Sequence, residues 1–334
     1  MTTAAFSRPT DLGWQNRDAL RAMQTRLLNE HLRHCRQHSP FYRKLLAGLP
    51  ERDLTLEDLS QLPTTSKQDL SLHNQDFIAQ GQQAADLCFT SGTTGTPCQI
   101  AYSQRDLDRL AYNDAVGFLA AGFLPGQRIL LTCTIDRCFI AGLAYYRGVV
   151  AMNAAAIRNG LNTIESHAQI ISALRPEGIV GVPSFLAKLG AHLAEQGVDA
   201  SSVKKIVCIG EPIRRQDMSL TPLGQKLETF WPEAAHSTYA SSEIATSFTE
   251  CQERQGGHPP ADLAIVEILS PDGKVLPPGE VGEVTVTPLQ VEAMPLVRFR
   301  TGDISFLVPG DCPCGRSTPR IGPILGRQAQ MLKI

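Results

Sequence analysis

The sequence predicts an α/β fold in which helices cover a mostly parallel β-sheet and a small antiparallel β subdomain follows. Three observations lead to this prediction. Beyond residue 97, short β-branched runs alternate with longer helical patterns, which is typical of parallel strands joined by crossover helices. After about residue 251, strand patterns are joined by short turns instead, which indicates antiparallel hairpins. Before both regions, apolar residues recur at helical spacing.

The N-terminal segment is predicted to form an amphipathic helix over about residues 18–38. Its apolar positions, beginning with Leu20 and Met23, repeat every three or four residues. Two later segments place a hydroxyl three residues before a carboxylate, at residues 55–58 and 66–69. That pattern satisfies free N–H groups at a helix start, so we expect two short helices to begin there.

The alternating region contains three strand candidates separated by helix-length intervals. They are residues 129–133, 178–182 and 205–209. The region after residue 251 contains three more, at residues 263–269, 282–287 and 296–300, with a Pro-Asp-Gly turn after the first of them. We therefore expect an α/β part over residues 1–250 with the N-terminal helices, an antiparallel β subdomain over 251–326, and a short C-terminal segment over 327–334.

Composition excludes several classes of protein. The 334 residues suffice for about two domains. The formal charge is −2 with both signs interspersed, so we expect no nucleic-acid partner. No apolar run reaches the roughly 18 residues of a membrane span, and the N-terminus lacks the apolar core of a signal peptide. We expect a cytoplasmic protein without a membrane partner. The sequence does not indicate an oligomeric state.

A loop rich in glycine and hydroxyl side chains, residues 89–97, directly follows an apolar run. Glycines let backbone N–H groups approach an anion closely, and Ser and Thr hydroxyls add donors without bulk. The loop lacks the lysine that ends a Walker loop. It therefore predicts a phosphate-binding loop of another kind, and the alternative is a polar turn.

Four further motifs follow this loop in a fixed order. They are Gly210-Glu211-Pro212, Tyr239-Ala240-Ser241-Ser242-Glu243, Arg298-Phe299-Arg300-Thr301-Gly302-Asp303 and Gly326-Arg327. Together the motifs resemble the acyl-adenylate-forming enzymes, specifically the phenylacetate–CoA ligase branch, as do residues 39–44, 62–70 and 312–316. The resemblance covers nearly the whole chain and implies the fold of the large N-terminal domain of an adenylate-forming enzyme, with residues 327–334 as a hinge remnant.

The resemblance also implies ATP and Mg²⁺ as cofactors and a role for each motif. Adenylation joins a carboxylate to the α-phosphate of ATP and expels pyrophosphate, so the site must neutralise and position a polyphosphate. Glu243 matches the Mg²⁺-binding carboxylate, a hard oxygen ligand. Asp303 matches the acid that accepts hydrogen bonds from the ribose hydroxyls, and Arg327 the hinge arginine that reaches the ribose or phosphate.

Two groups of candidate residues follow from these matches. The implied catalytic residues are Thr94 and Glu243. The implied nucleotide-binding residues are Thr90, Ser91, Gly92, Thr93, Thr94 and Gly95 in the loop, Gly210, Glu211 and Pro212 along the adenine, Tyr239 stacked on its face, and Ala240, Ser241, Asp303 and Arg327. Four of the assignments have structural alternatives: Glu243 as an acid in the first turn of a helix, Asp303 as a turn former, Arg327 as a surface charge and Tyr239 as a core residue.

The chain contains nine cysteines, an odd number that indicates reduced thiols. Cys251, His258, Cys312 and Cys314 supply three thiolates and one imidazole, a set that suits tetrahedral zinc, although one residue between two cysteines is closer than usual. In several members of the resembled branch a matching set holds a structural zinc. The alternative is a group of reduced thiols.

The sequence departs from the family pattern in four places. Residue 334 closely follows the hinge motif, whereas in the resembled enzymes a further domain carries the lysine that stabilises the adenylation transition state. We therefore expect this chain to adenylate slowly or to depend on a partner. Gln328-Ala329-Gln330 stands where an aspartate is usual, Cys98 replaces a Lys or Thr, and Ala240 replaces a glycine.

Three functional hypotheses follow. The first is ATP-dependent activation of a small carboxylic acid to an acyl-adenylate, with transfer to CoA, a carrier protein or a separate thiol or amine, or with a domain supplied in trans. The second is a module that binds nucleotide or acyl-adenylate without turnover, and the third is an excised N-terminal domain of an aryl-CoA ligase. The branch favours an aromatic acid only by analogy. We expect residues 132–157 and 236–240 to line the acid pocket, with contributions from Arg137, Arg147 and Arg158.

Overall fold

The structure is a computed structural model, and it describes residue 6 and residues 10–49, 51–90 and 98–328. Its N-terminal region is helical. The elements are α1 (Arg17–His38), α2 (Pro40–Leu45), a 3₁₀ helix (Glu57–Gln61), β1 (Thr65–Ser66), α3 (Lys67–Leu72) and α4 (Asn74–Phe77). The predicted long helix and the helix start at Ser66 are confirmed, because the Ser66 hydroxyl and the Asp69 carboxylate cap each other's backbone N–H groups. Thr55 and Asp58 also bond reciprocally, but the helix that follows is of the 3₁₀ type.

The central sheet is mostly parallel, as predicted. The elements from the loop onward are β2 (Asp86–Phe89), β3 (Gln99–Tyr102), α5 (Gln104–Ala120), β4 (Arg128–Leu131), α6 (Ile140–Ala151), β5 (Ala155–Arg158), α7 (Ile164–Leu174), β6 (Gly178–Gly181), α8 (Pro183–Glu195), β7 (Lys205–Cys208), α9 (Pro222–Phe230), β8 (Ala235–Ser241), β9 (Thr246–Glu250) and β10 (Gly257–His258). Seven strands form the order β10-β9-β8-β7-β6-β4-β5. Strands β5, β4, β6, β7 and β8 are parallel to one another. Strand β9 is antiparallel to β8, and β10 is antiparallel to β9.

Helices cover both faces of this sheet. Alternate residues of β4, β6 and β7 point to opposite faces. On one face they pack against α5 and α6, and on the other against α7, α8 and α9. The carboxyl ends of the parallel strands therefore meet at one edge of the sheet, where loops can gather polar side chains.

A second sheet is antiparallel except for one strand. It contains β11 (Ala264–Leu269), β12 (Gly282–Pro288), β13 (Phe299–Ser305) and β14 (Gly326–Arg327), with β1 paired in parallel to β13. The third predicted strand of this region was placed too early. It begins at Phe299 and continues to Ser305, because a bulge between Glu283 and Thr285 on β12 lets the pairing resume beyond Gly302. Asp303 therefore lies within a strand and not in a turn.

One buried arginine connects α5 to both sheets. The Arg109 guanidinium donates to the carbonyl oxygens of Leu289 at 2.8 Å and Leu263 at 2.6 Å, and to that of Ala245. Burial lowers the Arg109 pKa to about 10, so the side chain stays charged at neutral pH. It thus fixes the turn at residues 242–245 relative to α5. Among the helices of the described ranges, none combines the length and apolar character needed to cross a bilayer.

Candidate active site

Two adjoining cavities open at the carboxyl edge of the central sheet. The larger cavity, of about 460 Å³, is lined by the turn after β7, by β8 and by the segment that leads into β14. The smaller cavity, of about 190 Å³, lies between the β2–β3 hairpin, α5, α6 and the turn after β8. Ala240, Asp303 and Arg327 line both cavities. The site is therefore one bipartite space with its junction at these three residues.

The carboxylate of Asp303 is held at the junction by two donors. The Tyr239 hydroxyl donates to Oδ2 at 2.9 Å, and the Arg327 Nε donates to Oδ1 at 3.1 Å. Asp303 and Arg327 face each other because β13 and β14 pair at these positions. Burial and the neighbouring Asp303 carboxylate raise the pKa of Tyr239 well above its usual value, so its hydroxyl remains a donor. Tyr239 also packs on the core, which makes the ring both a cavity wall and a structural residue.

The turn after β7 forms one wall of the larger cavity. Gly210 adopts a φ of 77°, a conformation that side chains with a Cβ rarely adopt, and Pro212 follows in the same wall. The Glu211 carboxylate is engaged elsewhere, because it accepts hydrogen bonds from the Ser184 N–H at 2.8 Å and the Ser184 hydroxyl at 2.9 Å at the start of α8. Glu211 therefore fixes the wall through its side chain.

A buried ion pair lies beside that wall. The Arg214 Nε lies 2.8 Å from Glu250 Oε1, and Glu250 Oε2 accepts a hydrogen bond from the Ser237 N–H at 2.7 Å. Both charged residues line the larger cavity. Through Glu250, this ion pair connects β9 to β8 and to the segment after β7 in the wall of the larger cavity.

The predicted phosphate loop connects β2 and β3. Its base is closed by the Thr90 N–H, which donates to the Cys98 carbonyl at 3.0 Å, and by the Cys98 N–H, which donates to the Thr90 hydroxyl at 3.3 Å. Thr90 and Cys98 line the smaller cavity. The candidate residues Ser91, Gly92, Thr93, Thr94 and Gly95 lie outside the described residues, so their assignment stays a prediction.

Glu243 lies in the turn between β8 and β9, buried at the edge of the smaller cavity. Its position excludes the alternative of an acid in the first turn of a helix. The Lys67 ammonium lies 3.2 Å from Glu243 Oε1, and the Ser241 hydroxyl donates to Oε2. The Glu243 carboxylate is thus paired with a positive charge, and its assignment to Mg²⁺ stays a prediction.

The side of the smaller cavity that α5, α6 and the residue before α6 form is mainly apolar, whereas the turn after β8 contributes polar groups. The apolar residues are Leu110 on α5 and Phe139, Ile140, Ala144 and Tyr145 on α6 or directly before it. The last four lie within residues 132–157, the region expected from the sequence to line the acid pocket. In the stretch 236–240, only Ala240 reaches this cavity, because β8 directs the others to the larger cavity or the core.

The three arginines proposed from the sequence as contributors to acid binding do not line the cavity. Arg147 pairs with Asp108 at 2.5 Å, and the guanidinium of Arg158 lies 5.2 Å from the centre of the Tyr146 ring. Arg137 occupies the loop before α6 with a φ of 62°. The expectation was wrong because the pairing of Arg147 with Asp108 and the stacking of Arg158 on Tyr146 hold these side chains away from the cavity, and Arg137 is not among the residues that line it.

A buried carboxylate, Asp114, lies in the apolar wall of the smaller cavity. It is 4% exposed, and its Oδ1 accepts hydrogen bonds from the Ser247 hydroxyl at 2.6 Å and the Asn113 amide at 3.1 Å. Burial raises the Asp114 pKa to about 6 despite these hydrogen bonds. Neither Asp114 nor Lys67 was among the site residues predicted from the sequence. Asp114 falls on the stripe of α5 marked by Leu107, Leu110 and Phe118, and a polar residue on a buried stripe is the signal that could have identified it.

The raised pKa predicts how stability depends on pH. An unfolded Asp ionises near 3.8, whereas folded Asp114 ionises near 6. Its contribution to stability is therefore full below about pH 4 and is lost as the pH rises to about 6. Relative to Asp114→Asn, the wild type should lose roughly 2–3 kcal/mol across this window. Urea unfolding of both proteins from pH 4 to 8 measures the difference, and a difference that does not change with pH contradicts the assignment.

The four predicted metal ligands lie together at one end of β9. Cys251 follows β9, His258 is in β10, and Cys312 and Cys314 are in the loop after β13; their ligand atoms all lie within 4.8 Å of one another. The Cys251 and Cys312 sulfurs are 3.7 Å apart, as are the Cys314 sulfur and the His258 Nε2. Tetrahedral zinc, with bonds of about 2.3 Å to sulfur and 2.0 Å to nitrogen, requires separations of about 3.5–3.8 Å.

The surroundings of the cluster also suit a metal. The Thr318 hydroxyl lies 2.9 Å from His258 Nδ1, which leaves Nε2 facing the thiols. Burial raises the pKa of the Cys251 and Cys312 thiols, whereas hydrogen bonds from Arg316 and the neighbouring thiols bring the pKa of Cys314 below its usual value despite burial. Cys314 is therefore the thiol of the set that deprotonates most readily. The residues present therefore fit a zinc ion.

Comparison with known proteins identifies the family. The family model described as AMP-binding enzyme matches residues 30–291. Phenylacetate-coenzyme A ligases of Thermus thermophilus and Pseudomonas putida are 35% and 33% identical, each over 95% of this chain and 72% of the relative. A 2-hydroxyisobutyryl-CoA ligase in complex with 2-HIB-AMP and CoA has the same fold, with a TM-score of 0.86 over 94% of this chain and 69% of that chain at 21% identity.

These findings confirm the resemblance and the fold predicted from the sequence. Adenylate-forming ligases use ATP and Mg²⁺, and CoA ligases act on a carboxylic acid and CoA. The chain belongs to the AMP-binding enzyme family, on its phenylacetate–CoA ligase-like branch, and is an acid-activating ligase.

Proposed function

We propose that this chain activates an aromatic carboxylic acid with ATP, forming an acyl-adenylate and pyrophosphate. The single observation that supports this best is the bipartite site, whose two cavities meet at Ala240, Asp303 and Arg327. The larger cavity has the volume of a small-molecule site and takes the adenosine. The smaller cavity takes the acid. A cavity of about 150 Å³ accommodates benzene, so about 190 Å³ suits a single ring.

The residues at the junction hold the reactants in line. Asp303 accepts hydrogen bonds from the ribose hydroxyls, and Arg327 and the Thr90 hydroxyl contact phosphate oxygens. An oxygen of the substrate carboxylate attacks the α-phosphorus, the bond from that phosphorus to the bridging oxygen breaks, and pyrophosphate leaves with the electron pair. Glu243, with Lys67 beside it, would hold Mg²⁺, and the ion would supply positive charge that offsets the charge developing on the leaving group.

The acyl acceptor is proposed to be the thiol of CoA. This choice rests on the names of the relatives, which are phenylacetate-coenzyme A ligases. A carrier-protein thiol, a separate amine and a domain acting in trans are the alternatives. A module that binds nucleotide without turnover is the rival from another class of protein.

An ATP–pyrophosphate exchange assay with the 334-residue chain and a panel of aryl and fatty acids tests the proposal. We expect exchange that depends on an added aromatic acid and on Mg²⁺. Exchange with none of the acids, while AMP still binds, would favour the non-catalytic alternative. Adding CoA and following thioester formation then separates the thiol acceptor from the others.

We also propose that Cys251, His258, Cys312 and Cys314 hold one structural zinc ion. Purified without chelators, the protein should contain about one zinc per chain. Cys312→Ser should abolish this and lower the free energy of unfolding by more than about 3 kcal/mol, because metal binding contributes to folding. Elemental analysis and urea unfolding measure both.

Cys138→Ser is the matched control for the zinc variant, because Cys138 is an exposed thiol outside the cluster. It should leave the zinc content and the stability unchanged. Wild-type protein without stoichiometric metal would refute the zinc assignment.

A further inference from the structure

We infer that Asp114 selects acids that carry a hydrogen-bond donor, an amino or hydroxyl group, on the part of the molecule that enters the smaller cavity. The inference rests on the proposed function and specifies the substrate class of that same site. Its starting observation is a charged side chain in a wall that is otherwise suited to an unsubstituted ring. Asp114 lines this cavity and is buried there.

The position of Asp114 is fixed by packing. Gly148 on α6 lies so close that a Cβ on it would come within 2.5 Å of the Asp114 Cβ. Ser247, whose hydroxyl donates to Asp114, pairs across the strands with Ala240 at the junction of the cavities. The carboxylate is therefore held beside the space that the acid occupies and cannot swing away into solvent.

The polar neighbours of Asp114 leave room for another donor. The hydrogen bonds from Ser247 and Asn113 both reach Oδ1. A carboxylate accepts about four hydrogen bonds. No hydrogen bond among the described residues reaches Oδ2, and because Asp114 lines the smaller cavity, a ligand in that cavity is the donor that this oxygen can accept from.

Electrostatics orients the substrate in the cavity. The carboxylate of the acid is repelled by Asp114, whereas at the junction Lys67 and Arg327 offset the charges of their partners Glu243 and Asp303, so the carboxylate meets less net negative charge there. The rest of the acid must therefore face Asp114. A purely apolar group placed there would desolvate the ionised side chain without compensation, whereas an amine or hydroxyl satisfies it.

The cavity also limits the size of the substrate. Leu110, Ile140, Ala144 and Tyr145 surround Asp114 with apolar surface, and the whole cavity has about 190 Å³. This combination fits one ring with one polar substituent. Sites built to hydrogen-bond a substrate group discriminate strongly against the analogue that lacks it, because their buried polar group is then unpaired.

The experiment compares acids of equal size with and without a donor. The probes are para-aminobenzoate, para-hydroxybenzoate and para-methylbenzoate, with their meta isomers, in ATP–pyrophosphate exchange. Wild type should prefer the amino or hydroxyl acids over the methyl acid by on the order of 10- to 100-fold in kcat/KM. Both groups are neutral donors at neutral pH, so the amino and hydroxyl arms distinguish a site that prefers an N–H donor from one that prefers an O–H donor.

Two variants at Asp114 and one control connect the preference to this residue. Asp114→Asn removes the charge at constant size and should lower the preference on the order of tenfold, and Asp114→Leu should abolish it. Asp108→Asn is the matched control, because Asp108 is on the same helix but pairs with Arg147 and does not line the cavity. It should leave the preference unchanged.

Direct binding separates this inference from the proposed function. The ligands are sulfamoyl adenosines carrying a para-aminobenzoyl or a para-methylbenzoyl group, titrated by calorimetry. A preference for the amino analogue that is lost in Asp114→Leu supports the inference even if no acid is turned over. Equal exchange or equal binding of the amino and methyl compounds by wild type overturns it while the proposed function stands. Binding of neither analogue overturns both.

Discussion

Replacing Asp303 with alanine should weaken the binding of AMP and of Mg·ATP by the same factor, on the order of 100-fold. Each hydrogen bond from a neutral donor to a charged acceptor stabilises a complex by roughly 1.5–3 kcal/mol, and a ribose offers two hydroxyls to this carboxylate. The loss is common to both nucleotides because Asp303 is assigned to the ribose and not to the phosphates. Calorimetric titration of each nucleotide measures it.

The variant should also lose some stability, because the Tyr239 hydroxyl and the Arg327 Nε lose their acceptor. Asp303→Asn keeps an oxygen for these donors and should give an intermediate affinity. Asp311→Ala is the matched control, since Asp311 is an exposed carboxylate of the same subdomain that pairs with Arg17 at the surface. A folded Asp303→Ala protein that binds AMP as wild type does would remove Asp303 from the nucleotide site.

The fold was largely predictable because its signals are local. The strands β4, β6 and β7 are short β-branched runs bounded by helices, and α1 has a regular apolar period, so each could be recognised from its own residues. The pairing of β1 with β13 could not, because two residues carry no strand pattern and the partner lies more than two hundred positions away. Long-range pairing of this kind is decided by tertiary packing.

Site residues could be predicted from the sequence where they belong to a motif of the family. They could not be predicted where only the three-dimensional position gives a residue its role. Glu243, Asp303 and Arg327 were identified from their motifs, and the structure brings all three to one cavity. Lys67 was noted as part of a helix start and of the 62–70 segment of the resemblance, but without a role in the site. Asp114 belongs to no motif, and it becomes a candidate site residue only because α5 places it in the wall of the smaller cavity. The prediction that three arginines contribute to the acid pocket was wrong because residue type alone does not indicate which way a helix, strand or loop directs a side chain.

Replacing Glu243 with glutamine should slow adenylation on the order of 100-fold or more and weaken Mg·ATP binding, while AMP binding changes little. Loss of one group that stabilises developing charge commonly costs about 10²–10³ in rate, and AMP lacks the β- and γ-phosphates that Mg²⁺ would neutralise in ATP. Exchange assays at increasing Mg²⁺ concentration and titrations of both nucleotides measure this. Partial recovery at high Mg²⁺ is expected if Glu243 is a ligand of the ion.

The salt bridge between Lys67 and Glu243 offers a second explanation for such a loss, namely that Glu243 acts only by positioning Lys67. A double-mutant cycle with Lys67→Met distinguishes the two. If Glu243 merely positions Lys67, the Lys67→Met variant should be as slow as Glu243→Gln, and combining them should cost nothing further. If Glu243 binds Mg²⁺, Glu243→Gln should still lower the rate and the Mg²⁺ affinity in the Lys67→Met background. Equal weakening of AMP and Mg·ATP by Glu243→Gln would rule out the metal assignment, because the ion has no contact to make with AMP.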